Sequence, residues 1–511
     1  MRTATRDTLY ARFAATAAAL ADAPALEVGD ATLTYRQLEG TARRLAAWLV
    51  AEHGGVPGRV ALLASRTVAA YAGYLAVLSL GATVVPLNPA FPAARNAALC
   101  RLVGADAVLI DSAGAGQAGA FPHVRTVLPI THEPPAAPAE PRPAAAREVA
   151  YVLFTSGSTG VPKGVPIRHA NLTAYLDHCV SRYAVGPGAR LSQEFDLTFD
   201  PSVFDLFVTW SAGATLVVPS GDERLAPVEF INRRRLTHWY SGPSHLSLAD
   251  DAGDLSPGSM PHLRWTMLGG EQLTGALAAR WAEAAPGSVV ENVYGPTELT
   301  ITCAAYRLPA SRYAWPRTAN GTVPIGAIHP HLEYVVLDED GRAAPEGELC
   351  VRGGQRFSGY LDPADDLGRF VTFEGGVSES YDGSAPLTAR HWYRTGDRVR
   401  DDGGRLTHLS RLDSQVKVYG HRVEPGEVEA VLRRHARVRD AVVLAVEGAR
   451  GDAELVAAYT GQELPYRELA AHVRAWLPGH MVPRRLVHLA RLPLNHNGKV
   501  DRRALSERLV R

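Results

Sequence analysis

The stretch Tyr151-Val-Leu-Phe-Thr-Ser-Gly-Ser-Thr-Gly-Val-Pro-Lys-Gly164 joins an apolar strand to a loop of small hydroxyl residues, glycines and one lysine. Glycine reaches positive φ and lets the backbone approach a ligand closely, so several N–H groups can converge on one anion. The hydroxyls of Thr155, Ser156, Ser158 and Thr159 add donors around Gly157 and Gly160. Lys163 adds a positive charge suited to a leaving pyrophosphate. The loop is not a Walker A motif, because no Gly-Lys-Ser/Thr stands at the required spacing and Lys163 precedes a glycine. By composition alone a flexible linker would read the same way.

Such a loop must be held by a larger framework. At 511 residues the chain exceeds one ordinary hydrophobic core, which predicts two or more domains. Lys163 and the other 52 Lys and Arg side chains are balanced by an equal number of acids, so the basic excess of a nucleic-acid binder is absent. Cys100, Cys179, Cys303 and Cys350 lie far apart without metal-ligand spacing and read as buried thiols in a reducing compartment. No signal peptide opens the chain, and the most apolar run, Ala69 to Val85, is broken by Tyr71, Ser79 and Gly81. The expectation is a cytoplasmic protein without a membrane span.

Strands and helices alternate over the first four hundred residues. Leu33 to Tyr35 ends a short strand, and Tyr35 to His53 reads as an amphipathic helix with Leu38, Leu45 and Leu49 on one face. Val60 to Ser65 is a strand, Val68 to Leu80 a helix and Ala82 to Leu87 a strand, the pattern of parallel βαβ units. Pro134 to Arg147 and Phe373 to Ala389 read as exposed connectors. After Leu412 short strands at Val416 to Tyr419, Val442 to Val446 and Leu455 to Tyr459 alternate with helices at Glu424 to His435 and Tyr466 to Leu477. The predicted fold is α/β: a large N-terminal domain of βαβ subdomains, residues 1–412, and a small α+β C-terminal domain, residues 413–511.

The phosphate-type loop resembles that of adenylate-forming enzymes, the superfamily of acyl-CoA synthetases, luciferases and nonribosomal peptide synthetase adenylation domains. Further motifs fall in family order: Leu33-Thr-Tyr-Arg-Gln-Leu38, Phe199-Asp-Pro-Ser-Val203, Gly269-Gly-Glu271, Asn292-Val-Tyr-Gly-Pro-Thr-Glu298, Gly347-Glu-Leu-Cys-Val351, Tyr393-Arg-Thr-Gly-Asp397, Arg411-Leu-Asp-Ser-Gln-Val-Lys417 and Asn497-Gly-Lys-Val-Asp501. The resemblance implies ATP and Mg²⁺ as cofactors. It assigns the loop residues Thr155 to Gly160 and Lys163, with Gly269, Gly270, Glu271, Asn292, Tyr294, Gly295, Asp397 and Arg411, to the nucleotide. Tyr294 offers an aromatic face for adenine, Asn292 an edge that donates and accepts, and Asp397 two acceptor oxygens for the ribose hydroxyls. Thr297 would meet the α-phosphate, Glu298 would hold Mg²⁺, and Lys499, in an Asn-Gly turn before a helix capped by Asp501, would bridge the substrate carboxylate and the α-phosphate. Asp413 matches the hinge of a mobile C-terminal lid, where Ser410 replaces the common glycine, and Gly420 lies in the strand that replaces Lys499 after the swing.

Asp200 matches the aspartate that pairs with the substrate ammonium in amino-acid adenylation enzymes; an Asp capping or bonding locally in its loop is the bland alternative. The remaining pocket positions align to Pro201, Phe204, Tyr240, Thr266, Leu268, Val293, Ile301 and Thr302. Bulk at Phe204 and Tyr240, with no charge facing the side chain, implies a small neutral amino acid: proline first, alanine second, with a β-amino acid as an alternative. The wording from Phe195 to Asp200 resembles free-standing prolyl and D-alanyl carrier protein ligases. No Asp-Ser carrier motif follows, so the expected acceptor is the phosphopantetheine thiol of a separate carrier protein. An acyl- or aryl-CoA synthetase is the rival enzyme class, and a non-catalytic nucleotide-binding relative is the rival outside enzymes.

Overall fold

Local sequence decides where the first elements begin. Thr34 accepts from the Gln37 N–H (3.3 Å) while the Gln37 side chain accepts from the Thr34 N–H (2.8 Å), a reciprocal cap that starts the helix Tyr35–His53. Removing such a cap costs about 1 kcal/mol. Gly54, at φ 74°, ends the helix in the left-handed conformation. Leu38, Leu45 and Leu49 are buried as their spacing predicts. The next helix, Val68–Ser79, is apolar and buried almost all round, and Arg59–Leu63 and Thr83–Leu87 on either side of it pair in parallel.

The computed structural model describes residues 8–142, 144–157, 161–413, 415–418, 420–448, 453–493 and 502–509. It divides into two units: residues 1–89, 100–153 and 164–412 form the larger, and residues 90–99, 154–163 and 413–511 the smaller. The protein is therefore α/β, with a large N-terminal domain and a small C-terminal α+β domain.

Three sheets build the larger domain. The first runs Thr126–Pro129, Ala107–Ile110, Arg59–Leu63, Thr83–Leu87, Val149–Thr155, Lys163–Arg168. The second has nine strands, with Val289–Tyr294, Trp265–Gly269, His238–Ser241, Arg190–Ser192, Thr215–Val218 and Pro24–Val28 as its parallel centre. A third, antiparallel sheet carries Leu332–Leu337, Glu346–Gly353, Trp392–Asp401 and Leu406–Arg411. Part of the connector expected from Phe373 is instead a hairpin of Phe370–Glu374 and Val377–Ser380. Gly375 and Gly376 turn it with φ of 62° and 87°, which a tight hairpin turn requires. The Pro134 to Arg147 stretch carries no helix or strand among its described residues. The smaller domain packs Pro425–Arg433 and Tyr466–Arg474 on a sheet of Val438–Glu447, Ala453–Gly461 and Arg485–His488 through Val428, Leu432, Val443, Ala457 and Leu469. All four cysteines are buried free thiols.

Candidate active site

Pairing of Trp392–Asp401 with Leu406–Arg411 sets Asp397 opposite Arg411. The buried Asp397 carboxylate accepts from the Tyr294 phenol (2.6 Å), His408 Nε2 (3.0 Å) and Arg411 Nη1 (3.1 Å). Burial, with the neighbouring Asp397 charge, pushes the Tyr294 phenol well above its ordinary pKa, so it remains a donor. The family resemblance already grouped Asp397, Arg411 and Tyr294 as nucleotide residues. His408 was not foreseen, because a bulge between Arg398 and Val399 sets which residue of the partner strand reaches Asp397. Asn292 spends its amide N–H groups on the carbonyls of Val323 (3.2 Å) and Pro324 (2.9 Å), which leaves Oδ1 as its acceptor. Gly295 is required by packing: a Cβ there would lie 2.6 Å from the Ile301 carbonyl oxygen.

Glu298 lies in the single turn Thr297–Leu299 and is fully buried, while Thr297 is half-buried beside it. Tyr360 donates to Glu298 Oε1 (2.6 Å), and Tyr393 lies 3.2 Å from the Tyr360 hydroxyl. Among the described residues no cluster of three or more His, Cys, Asp or Glu could hold a metal. A single hard carboxylate nevertheless suits Mg²⁺ that draws its other ligands from phosphate and water, so Glu298 fits that ion. Glu271 also has a local task, accepting from the Ser244 N–H (2.8 Å) at the start of Pro243–Asp251. Gly270 beside it needs its glycine for a φ of 84°.

In the smaller unit, Gly157 lies close against the Val161 backbone. A Cβ on Gly157 would stand 1.9 Å from the Val161 carbonyl oxygen, so that approach exists only with glycine. Ser156 Oγ donates to the Arg422 carbonyl (3.0 Å), and Lys163 is buried at the head of its strand. Ser158, Thr159 and Gly160 lie outside the described residues, as do Lys499 and its flanking Asn497, Gly498, Val500 and Asp501. Asp413 opens the last segment of this unit and accepts from the Gln415 N–H (3.2 Å).

Aromatic side chains gather near Asp200 in the larger unit, the walls of a candidate amino-acid chamber. Asp200 precedes the helix Pro201–Ser211, is 4% exposed, and makes no side-chain cap to that helix. Its charge is felt by Tyr151 and Tyr240, whose phenols burial has already raised well above the ordinary range. Phe204 packs on Tyr240 with centroids 5.0 Å apart, and Phe195 on Tyr240 at 4.8 Å. Val293 and Ile301 are buried in the same core.

Thr266 and Leu268 do not share this chamber, which corrects the pocket read from the sequence. Side chains alternate along Trp265–Gly269, and parallel pairing aligns Tyr240 with Met267 and Gly269 with Val293. Thr266 is turned to the opposite face, where it accepts from Trp281 Nε1 (2.9 Å) and lies 2.8 Å from Ser288 Oγ. Leu268 packs there with Trp239 and Trp281. A Cβ on Gly269 would fall 2.8 Å from Val293 Cγ2 and 3.4 Å from the Tyr240 hydroxyl, so Met267 and Gly269 border the chamber instead. The one-residue error came from aligning across a strand whose period is two.

The far wall is a strained turn. Thr300 and Ile301 have φ of 60° and 73°. A non-glycine residue held there costs of order 1–3 kcal/mol. Thr302, which follows, donates to the Tyr175 hydroxyl (3.2 Å).

A buried acid held by phenol, imidazole and guanidinium, an acid-bearing turn two steps from the phenol, and an aromatic chamber behind them define a nucleotide-dependent acid-activating class of site. The chain belongs to the AMP-binding enzyme family, the adenylate-forming superfamily: the family model matches residues 13–361 and the family's C-terminal domain residues 427–499. It is similar to a solved structure of IdnL7, 40% identical with 98% of each chain covered and a TM-score of 0.71. It is also similar to the adenylation domain AlmE of Vibrio cholerae, solved in complex with glycyl-adenosine-5'-phosphate. That match is 29% identical, covers 99% of this chain and 98% of that one, and has a TM-score of 0.82. A probable non-canonical nonribosomal peptide synthetase, CymA of Salinispora arenicola, is 36% identical over 98% of this chain and 6% of its own length. The chain spans between 6% and 44% of the length of three such curated relatives. Among the described residues no helix is long and apolar enough to cross a membrane.

Proposed function

We propose that the chain activates a small neutral amino acid with ATP as the aminoacyl-adenylate and passes it to the phosphopantetheine thiol of a carrier protein in trans. Proline is the first substrate choice, alanine the second, and a β-amino acid the alternative. The observation that carries the amino-acid reading is Asp200, a buried carboxylate facing the aromatic chamber without serving as a helix cap. A substrate ammonium would add a cation beside that buried carboxylate, the pairing that burial of a charge favours. Phe204, Tyr240 and Met267 restrict the volume beyond it, and the glycyl-adenylate bound to AlmE supports a small substrate. The nonribosomal peptide synthetase relatives support a carrier acceptor.

In this reading Asp397 and Arg411 orient the ribose, Tyr294 and Asn292 the adenine, and Asp200 the amine. Positioning of this kind contributes much of the rate in phosphoryl-type transfer. The substrate carboxylate attacks the α-phosphorus and pyrophosphate leaves toward the Thr155 to Lys163 loop. Glu298 would hold Mg²⁺, which would supply positive charge near the phosphates, and Thr297 and Lys499 donate to the α-phosphate oxygens. Rotation about Asp413 then withdraws Lys499 before the thiol attacks the carbonyl carbon and AMP departs. Amino-acid-dependent ATP–pyrophosphate exchange over α-, β- and D-amino acids, with fatty and aryl acids as controls, tests the proposal. Exchange with one small amino acid is the expected result; exchange only with acids lacking an amine would make Asp200 a local structural residue.

A further inference from the structure

Gln355 is fully buried in the loop after Glu346–Gly353, far in sequence from the strained Thr300–Ile301 turn, yet its carboxamide meets that turn directly. Its Nε2 donates to the carbonyl oxygens of Leu299 (2.9 Å), Thr300 (3.2 Å) and Thr302 (2.8 Å). Its own carbonyl accepts from Thr300 Oγ1 (2.5 Å). Because only the nitrogen end can donate, its two N–H groups serve the three carbonyls with one bond shared, Oε1 must accept, and it faces the ring nitrogens of His331 and His329. The backbone around Gln355 is pinned in turn: Asn171 Nδ2 donates to the carbonyls of Gly354 (2.7 Å) and Arg356 (3.1 Å). A β-branched pair persists at positive φ only where its surroundings over-determine it, and this carboxamide holds the carbonyl on each side of Ile301.

We propose that Gln355 is a specificity-positioning residue: it clamps the Thr300–Ile301 turn and so fixes where Ile301 and Thr302 stand at the amino-acid chamber. The inference rests on the reading of that chamber as the amino-acid pocket. Without the clamp the turn relaxes toward negative φ, which rotates Ile301 and Thr302 relative to Tyr240 and Val293. ATP contacts at Asp397 and Tyr294 are left in place, since neither touches Gln355.

The test compares wild type with Gln355→Met, which keeps the length and removes every donor, and with Gln355→Met combined with Thr300→Gly. Glycine adopts φ near +60° without strain, so the second change lets the turn keep its form unclamped. In ATP–pyrophosphate exchange, Gln355→Met raises the amino-acid KM about tenfold and flattens the kcat/KM ratio between the two best amino acids about tenfold, the range a pocket contact commands. ATP KM stays within about twofold, and adding Thr300→Gly restores most of the selectivity. If Gln355→Met does not fold, the Thr300→Gly double variant and Gln355→Glu, whose carboxylate would face the same three carbonyls, carry the same measurement. Unchanged selectivity in a folded variant, a matching rise in ATP KM, or no rescue by Thr300→Gly overturns the proposal. Wild type that exchanges only with acids lacking an amine defeats the amino-acid reading instead, and the selectivity ratio among those acids still reports on the clamp.

Discussion

Neighbouring substitutions at Thr266 and Met267 should have opposite consequences, because the two side chains leave the same strand on opposite faces. Thr266→Val keeps the volume and removes the hydroxyl that meets the fully buried Trp281 indole at 2.9 Å. Stranding a buried N–H costs about 1–3 kcal/mol. In a domain of this size that lowers the thermal midpoint by roughly 1–4 °C. Since Thr266 faces Trp281 and Ser288, the ranking of amino acids in pyrophosphate exchange should not change. Met267→Ala acts on the chamber side, beside Tyr240. It enlarges the space for the substrate side chain, and a change of one or two methylenes in such a wall shifts relative kcat/KM by about 10–200-fold. Larger aliphatic amino acids should gain against the preferred one. Calorimetric midpoints and an exchange panel on both variants decide the matter. A changed ranking in Thr266→Val with an unchanged one in Met267→Ala would falsify the facing assigned to this strand.

Three further outcomes follow from the same geometry. Asp397→Asn leaves Arg411 without its ion pair at 3.1 Å and weakens the Tyr294 hydrogen bond, so ATP KM should rise about tenfold, equivalent to about 1.4 kcal/mol, with little change in amino-acid KM. An equal rise in both would point to general unfolding. Lys499→Ala should lower adenylation by roughly 10²–10³ yet spare thioester formation from supplied aminoacyl-adenylate; equal loss of both half-reactions would sink the two-conformation account. Stability should fall on mild acidification. Burial holds the imidazoles of His169, His238 and His245 at about 4 and that of His329 at about 3, below the unfolded value of 6.5. Their neutral rings favour the folded state above pH 6.5, and that contribution is lost as pH falls toward 4, because the unfolded chain binds the protons. Glu194, raised by burial to about 7, and Asp205, raised well above its ordinary value by burial and Glu194, act in the opposite sense over this window. Four such imidazoles against two such carboxyls leave these groups taking up protons on unfolding, so their combined contribution falls with pH through this window. Urea midpoints that rise between pH 6.5 and 5 would contradict it.

Much of this protein was legible before any coordinates. The period of Leu38, Leu45 and Leu49 is local, so it announced the helix Tyr35–His53, which the equally local caps at Thr34 and Gly54 bound. Motif order assigned the family, because Asp397 and Arg411, like Asn292 and Tyr294, belong to short segments whose spacing survives as text. Tertiary structure alone decided what depends on two segments meeting. Met267 rather than Thr266 borders the chamber because pairing against Tyr240 fixes which face of the strand is inward, and the strand's alternation admits no one-residue error. His408 reaches Asp397 only because a bulge shifts the register of its strand. Gln355 meets the Thr300–Ile301 turn across some fifty residues of chain, a distance over which hydrophobic period and turn chemistry carry no information.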